Sequence, residues 1–244
     1  MLEVNNFDLD TMVINPHILL IGEQRSGKSI AICSLLNNIT NINEDNSIII
    51  SHKQSFYKDK YPDKKTTNNF DIKLIKNIMN EQVLTDVRNK SVIVLDNCLP
   101  YDKWWNQNSD ISDLFFNSRH YNISLIIAVD DSLCHFTPEL RTNFDYVFIY
   151  SVIFPKNIMD LYAYNMYEDF NLFESHYKRL TRNYSSMVIS NHARGLTSQI
   201  FWYKAKLNNL SKDTHGIKLL ELHITTDNKL NDLNAHFNKL CLSI

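Results

Sequence analysis

Short apolar runs alternate with longer mixed segments along this chain of 244 residues. "HILLI" (17–21), "SIIIS" (47–51), "SVIVLDN" (91–97), "ISLIIAVD" (123–130) and "DYVFIYS" (145–151) have the length and residue types of buried strands. "KSIAICSLLNNI" (28–39) reads as a mostly apolar helix. The stretch 71–87 places Ile72, Ile75, Ile78 and Met79 at helical spacing. Residues 105–120, 155–166 and 171–182 also read as helices, and "SSMVISN" (185–191) and "SQIFWYKAK" (198–206) as late strands. Residues 52–69 read as a polar, lysine-rich loop. Strands alternating with helices predict an α/β fold with a mostly parallel central sheet flanked by helices. Ligands of such sheets bind at the carboxyl ends of the strands, so the polar residues closing these runs are the candidates for chemistry.

The first run is followed by "GEQRSGKS", Gly22, Glu23, Gln24, Arg25, Ser26, Gly27, Lys28 and Ser29. Two of the chain's 4 glycines lie in these positions. The spacing G-x-x-x-x-G-K-S is that of a phosphate-binding loop. Gly22 permits a tight exit from the strand, and Gly27 lets backbone approach a phosphate without a Cβ in the way. The following helix start adds N–H donors and a partial positive charge. Lys28 reaches the β- and γ-phosphates, and Ser29 holds Mg²⁺. The implied cofactors are ATP and Mg²⁺.

Composition narrows the class. Hydrophobic residues make up 44% of the chain, enough for a sizeable core. The formal net charge is −2, so no global basic field announces nucleic acid, although a ring that touches DNA through a few pore residues needs none. There is no apolar run long enough for a membrane span. The acidic start, "MLEVNNFDLD", lacks a signal core. Cys33, Cys98, Cys134 and Cys241 form no C-x-x-C pair and read as reduced, which suits an intracellular setting.

The second half of the site is read from strand ends. In "VIVLDN", Asp96 is placed to bind Mg²⁺, through water, beside Ser29; the plain alternative is an ordinary buried strand with an Asp in the following turn. Asn97 follows it, where many ATPases have an acid that activates water; an amide orients water but cannot take its proton. Asp130, closing the next strand, can orient water, serve as the missing base, or simply cap the next segment. Arg119 and Arg141 each precede a strand; either is a candidate for stabilising transition-state charge across a subunit boundary, or a plain interface ion pair.

Taken in order, "GEQRSGKS", "SVIVLDNC", "DLFFNSRHYNISLIIAVD", "PELRTNFDYVFIY" and "FWYKAK" resemble the DNA-packaging ATPases of nucleocytoplasmic large DNA viruses and their relatives, within the FtsK–HerA superfamily. The resemblance covers residues 7 to 206. It implies a RecA-like core of the additional-strand type and a homo-oligomeric ring, hexameric or pentameric. It also implies ATP-driven movement of double-stranded DNA into a capsid, with capsid or portal proteins as partners, in the viral factory of the host cytoplasm and in the virion. By the same resemblance Lys28 and Ser29 hold phosphate and Mg²⁺, Asp96 is the Walker B acid, Arg119 is the finger acting in trans, and Arg141 belongs to a second motif. Two residues depart from the pattern: Asn97 replaces the usual acid, and Asp130 stands where the family has glutamine. The carboxylate has either moved to the neighbouring strand end, or hydrolysis is weakened.

For DNA contact the candidates are Lys53, Lys58, Lys60, Lys64 and Lys65 with Tyr57 and Tyr61, and the stretch "HYKRLTRN" (176–183); the plain alternative is a solvated loop. "FWYKAK" reads as a core strand. The ATPase domain is expected over 1–206, and 207–244 as an extension packed onto it or binding a partner. Two other readings stand beside the motor: a nucleotide-binding assembly factor with little hydrolysis, favoured by Asn97, and a small-molecule P-loop kinase, which the "LRTN" segment and the absence of a recognisable lid disfavour.

Overall fold

The computed structural model describes residues 4–39, 42, 46–84, 90–100, 108–130, 136–152, 169–191 and 199–205. All lie in the first of two compact units, Met1–Ala205. The helix expected over 155–166 and the extension over 207–244 fall outside the described residues.

Eight strands form one sheet: β1 (His17–Ile21), β2 (Ile48–Ser51), β3 (Lys65–Thr67), β4 (Ser91–Asp96), β5 (Ile123–Val129), β6 (Tyr146–Ile149), β7 (Ser186–Ser190) and β8 (Gln199–Tyr203). Their order is β3-β2-β4-β5-β1-β6-β7-β8. The first six run parallel; β7 is antiparallel to β6 and β8 to β7. Strand β5 lies between β1 and β4, so this is an α/β, RecA-like sheet with an additional strand between the phosphate-loop strand and the Asp96 strand. Every residue of β1, β2, β4, β5 and β6 is buried, which is why these runs show no polar alternation.

Six α-helices are described: α1 (Lys28–Asn38), α2 (Gln54–Lys60), α3 (Ile72–Leu84), α4 (Ser109–Asn117), α5 (Pro138–Arg141) and α6 (Phe170–Leu180). Helix α1 buries Ala31, Ile32, Cys33, Ser34, Leu35 and Leu36, nearly all round, and so lacks a polar face. Helix α3 presents Ile75, Ile78 and Met79 to the core at helical spacing. Asn108 caps α4 by accepting from the Asp110 and Ile111 N–H groups, and Asp169 caps α6 from Asn171 and Leu172.

Two expectations need correction. Residues 52–69 are not one loop but α2 and β3; α2 buries a single residue, Tyr57, so it carries no apolar stripe for a periodicity argument to find. "FWYKAK" contributes an edge strand, β8, rather than a core one. Its Trp202 pairs with the N-terminal segment through Phe7 N–H to Trp202 O (2.8 Å) and Trp202 N–H to Asn5 O (3.0 Å), which covers part of the exposed edge.

Candidate nucleotide site

Strands β1, β5 and β4 end in register, Ile21 opposite Val129 and Asp96 opposite Ala128, so three consecutive strand ends deliver the phosphate loop, Asp130 and Asp96 to one edge of the sheet. The loop is tied at its start: Glu23 N–H donates to Ser151 O (2.9 Å) and Gly22 N–H to Val129 O (3.4 Å). A Cβ on Gly22 would lie 2.5 Å from Tyr150 Cβ, so only glycine fits against β6 there. Arg25 and Gly27 hold positive φ values of 65° and 107°, which curl the backbone towards the start of α1. That curvature is the sequence motif's requirement for Gly27 made visible.

Lys28, 4% exposed, folds its Nζ back onto the loop, donating to Gly22 O and to Glu23 O (2.9 Å) and reaching Asp130 Oδ1 at 3.4 Å. Burial lowers its pKa from the ordinary lysine value, and Asp130 opposes that shift. Ser29 Oγ donates to Asp96 Oδ2 (3.2 Å), bridging the loop of β1 to the end of β4 across β5. Lys53 Nζ donates to Ser29 Oγ (2.9 Å).

Asp96 is 1% exposed. Its Oδ2 also accepts from Ser51 Oγ (3.3 Å) and Tyr57 OH (2.9 Å). Its Oδ1 is buried and has no hydrogen-bond partner among the described residues. An orphaned buried carboxylate oxygen beside a serine hydroxyl suits a hard cation. No cluster of three or more His, Cys, Asp or Glu that could hold a metal occurs among the described residues. Two protein oxygens, from Ser29 and Asp96, match Mg²⁺, which keeps its waters and takes phosphate oxygens rather than a full protein cage.

Asn97 and Asp130 meet. Asn97 Nδ2 donates to Asp130 Oδ1 at 2.9 Å, so one carboxylate oxygen is shared by an amide and by Lys28. Asn97 sits at a φ of 50°, a left-handed conformation that asparagine tolerates better than most residues.

Arg119 and Arg141 are elsewhere. Both precede strands, at the opposite, amino-terminal edge of the sheet. Arg119 donates to Asn143 O (2.6 Å) and pairs with Asp145 Oδ2 (2.9 Å), the same oxygen that accepts from His17 N–H (2.8 Å). Arg141 Nε donates to Phe136 O (2.9 Å). The seven residues of β5 separate Arg119 from Asp130, roughly 20 Å of strand, so Arg119 cannot reach the phosphate loop of its own chain. Beside it His17 is fully buried, with Nε2 2.7 Å from Ser118 Oγ; burial, reinforced by Arg119, pushes its pKa down to about 3.

The proposed DNA-contacting residues separate on burial. Tyr57 is fully buried and Lys64 is 8% exposed, so neither is available to a phosphate backbone; Lys53, Lys58 and Lys65 are exposed. In the 176–183 stretch His176 and Tyr177 are buried, and Lys178 pairs with Glu174 at 2.9 Å. Cys33 and Cys98 are buried free thiols, and Cys134 and Cys241 lie outside the described residues.

As partners of Asp96, Ser51 and Tyr57 were not anticipated from the sequence, and Tyr57 was expected to face DNA instead. Ser51 had a usable signal, a polar residue closing a buried strand, and stands opposite Asp96 in the β2–β4 register. Tyr57 had none.

This geometry can be set against known proteins. The genome packaging NTPase B204 of Sulfolobus turreted icosahedral virus 2 superposes with a TM-score of 0.60 at 15% identity, over 80% of this chain and 99% of that one. The chain has the fold of a viral genome-packaging NTPase. That is the fold the ordered motifs implied. B204 was solved with AMPPCP and with ATP-gammaS as well as with sulfate. The pCW3 conjugation coupling protein TcpA, solved with ATPgS, superposes with a TM-score of 0.56 at 17% identity, over 89% of this chain and 66% of that one. In sequence, an uncharacterized protein of Acanthamoeba polyphaga mimivirus is 28% identical over 239 residues, 87% of this chain and 83% of that protein. No family model matches the sequence. Among the described residues no helix is long and apolar enough to cross a membrane.

Proposed function

We propose that this protein is an ATP-hydrolysing motor that moves double-stranded viral DNA into a capsid. The observation that carries the reading is the Ser29–Asp96 contact at 3.2 Å, made across an intervening strand, with Lys28 beside it and the second Asp96 oxygen unpartnered among the described residues. A buried Walker-type pair serves Mg²⁺-nucleotide binding. The fold shared with B204 and TcpA supports DNA movement over small-molecule phosphoryl transfer. In this reading Lys28 and the loop residues 22–29 hold the phosphates, Ser29 and Asp96 hold Mg²⁺, and Asp130, steadied by Asn97, takes the proton of the attacking water. Arg119, at the far edge of the sheet, serves the next subunit of a homo-oligomeric ring, and Arg141 braces the same edge. Capsid or portal proteins are the partners, and the viral factory and virion the place of action.

The test is displacement of a triplex-forming oligonucleotide from double-stranded DNA. Displacement with ATP but not with a non-hydrolysable analogue supports a translocase; ATP turnover without displacement at any DNA length contradicts it. A second reading, a nucleotide-binding assembly factor with little hydrolysis, draws on Asn97 alone. The 2.9 Å bond between Asn97 and a nearby carboxylate favours relocation of the acid over its loss.

A further inference from the structure

Tyr57 is the one buried residue of α2, an element that contributes nothing else to the core. Its ring packs edge-on against Phe56, with centroids 5.0 Å apart, and its hydroxyl donates to Asp96 Oδ2. Three hydroxyl groups, from Ser29, Ser51 and Tyr57, converge on that oxygen, at 3.2, 3.3 and 2.9 Å. The other oxygen of the same carboxylate is buried and receives none among the described residues. A carboxylate offers about four lone-pair sites shared over two oxygens. Donors that served only to satisfy a buried charge would be spread over both. Concentrating them on one oxygen fixes the rotation of the carboxylate and reserves the other oxygen for a ligand. Of the three, the phenol makes the shortest bond, is the least able to move, and does not belong to the phosphate loop.

We propose that Tyr57 is a positioning residue for the divalent cation: by holding Asp96 Oδ2 it presents Oδ1 to Mg²⁺. The inference rests on the phosphate-loop reading of the site. Its consequence is selective. Loss of the phenol hydroxyl weakens the cation's contribution to nucleotide binding and leaves the contribution of Lys28 and the loop backbone intact, because the phenol hydroxyl bonds Asp96, beside the Mg²⁺-binding Ser29, whereas Lys28 is held by Gly22 O, Glu23 O and Asp130.

The experiment uses the full chain and a fluorescent ATP analogue, titrated first in EDTA and then with Mg²⁺ at fixed nucleotide, for wild type and Tyr57→Phe. The aromatic ring, and so the packing, is kept. The expected result is equal affinity in EDTA and about a tenfold higher Mg²⁺ concentration at half-saturation in the variant, the loss of one hydrogen bond to a charged group. Mn²⁺ binding followed by electron paramagnetic resonance, with nucleotide present, should weaken by the same factor. An unchanged Mg²⁺ requirement in folded Tyr57→Phe overturns the proposal. Should that variant not fold, Ser51→Ala, which removes a longer bond to the same oxygen, should raise the requirement two- to threefold, and no change there overturns it equally. Failure of wild type itself to bind nucleotide would instead sink the phosphate-loop reading, so the two failures are distinct.

Discussion

Replacing Asp130 by asparagine separates a base from a structural contact. The side chain keeps its shape and can still meet Asn97, but it no longer accepts a proton and no longer opposes Lys28. The two effects have opposite signs. In turnover, removing a general base costs about 10²–10⁴-fold. In binding, the Lys28–Asp130 pair at 3.4 Å corresponds to about 5 kcal/mol at an effective dielectric of about 20. Asp130 is 45% exposed, so screening reduces this to about 1 kcal/mol. Releasing Lys28 from that pair makes it more available to phosphate, so nucleotide should bind equally well or up to about fivefold tighter. Asn97→Ala removes one hydrogen bond to the carboxylate and should lower turnover only about tenfold. Steady-state hydrolysis and equilibrium nucleotide binding, measured on both variants, give the split. Turnover by Asp130→Asn within a factor of a few of wild type, or a larger loss in Asn97→Ala than in Asp130→Asn, would refute the argument that the carboxylate has moved to β5.

Lys28→Ala should abolish nucleotide binding measured by calorimetry, and retained affinity would remove the phosphate loop from the account. Gly22→Ala, whose Cβ would fall 2.5 Å from Tyr150 Cβ, should lower stability by about 1–3 kcal/mol in a denaturant titration; a neutral result would mean that β6 yields. His17 is held neutral by burial, with a folded pKa of about 3 against an ordinary 6.5. Its contribution to stability is therefore complete above about pH 6.5 and is lost as pH falls towards 3, because the unfolded state then binds the extra proton, at up to about 1.4 kcal/mol per pH unit. His17→Gln should flatten urea midpoints over that window relative to wild type, and an unchanged slope would contradict the assignment. For Arg119, mixing Arg119→Ala with Lys28→Ala subunits should restore part of the lost hydrolysis; no recovery at any ratio would count against an arginine serving the neighbouring subunit.

The parts of the site that the sequence made legible are those written in local pattern. Gly22 and Gly27 are spaced by a backbone requirement, and Asp96 and Asp130 close uninterrupted buried strands whose register brings them to one edge. The additional-strand sheet order followed from the resemblance and stands in the observed topology. What escaped was set by tertiary contact. Helix α2 has no apolar period because it buries one side chain, and that side chain's value lies in a hydroxyl bonded to a residue 39 positions away. The three residues of β3 include an exposed lysine and carry no hydrophobic signal of their own. Strand β8 is rich in aromatics, as a core strand would be, yet it lies at the sheet's edge, where the N-terminal segment covers it. The pairing of Arg119 with Asp145 joins the 3-10 turn before β5 to the bend before β6, which only the closed sheet brings together.

The most direct test of the central claim is ATP hydrolysis by the purified chain, with and without double-stranded DNA, at low and high salt. The expected result is Mg²⁺-dependent turnover that DNA stimulates, with the stimulation fading as salt rises, since phosphate contacts release counterions. Tight Mg²⁺-ATP binding with no turnover under either condition would contradict it, and would make Asn97 the mark of a lost activity rather than of a relocated acid.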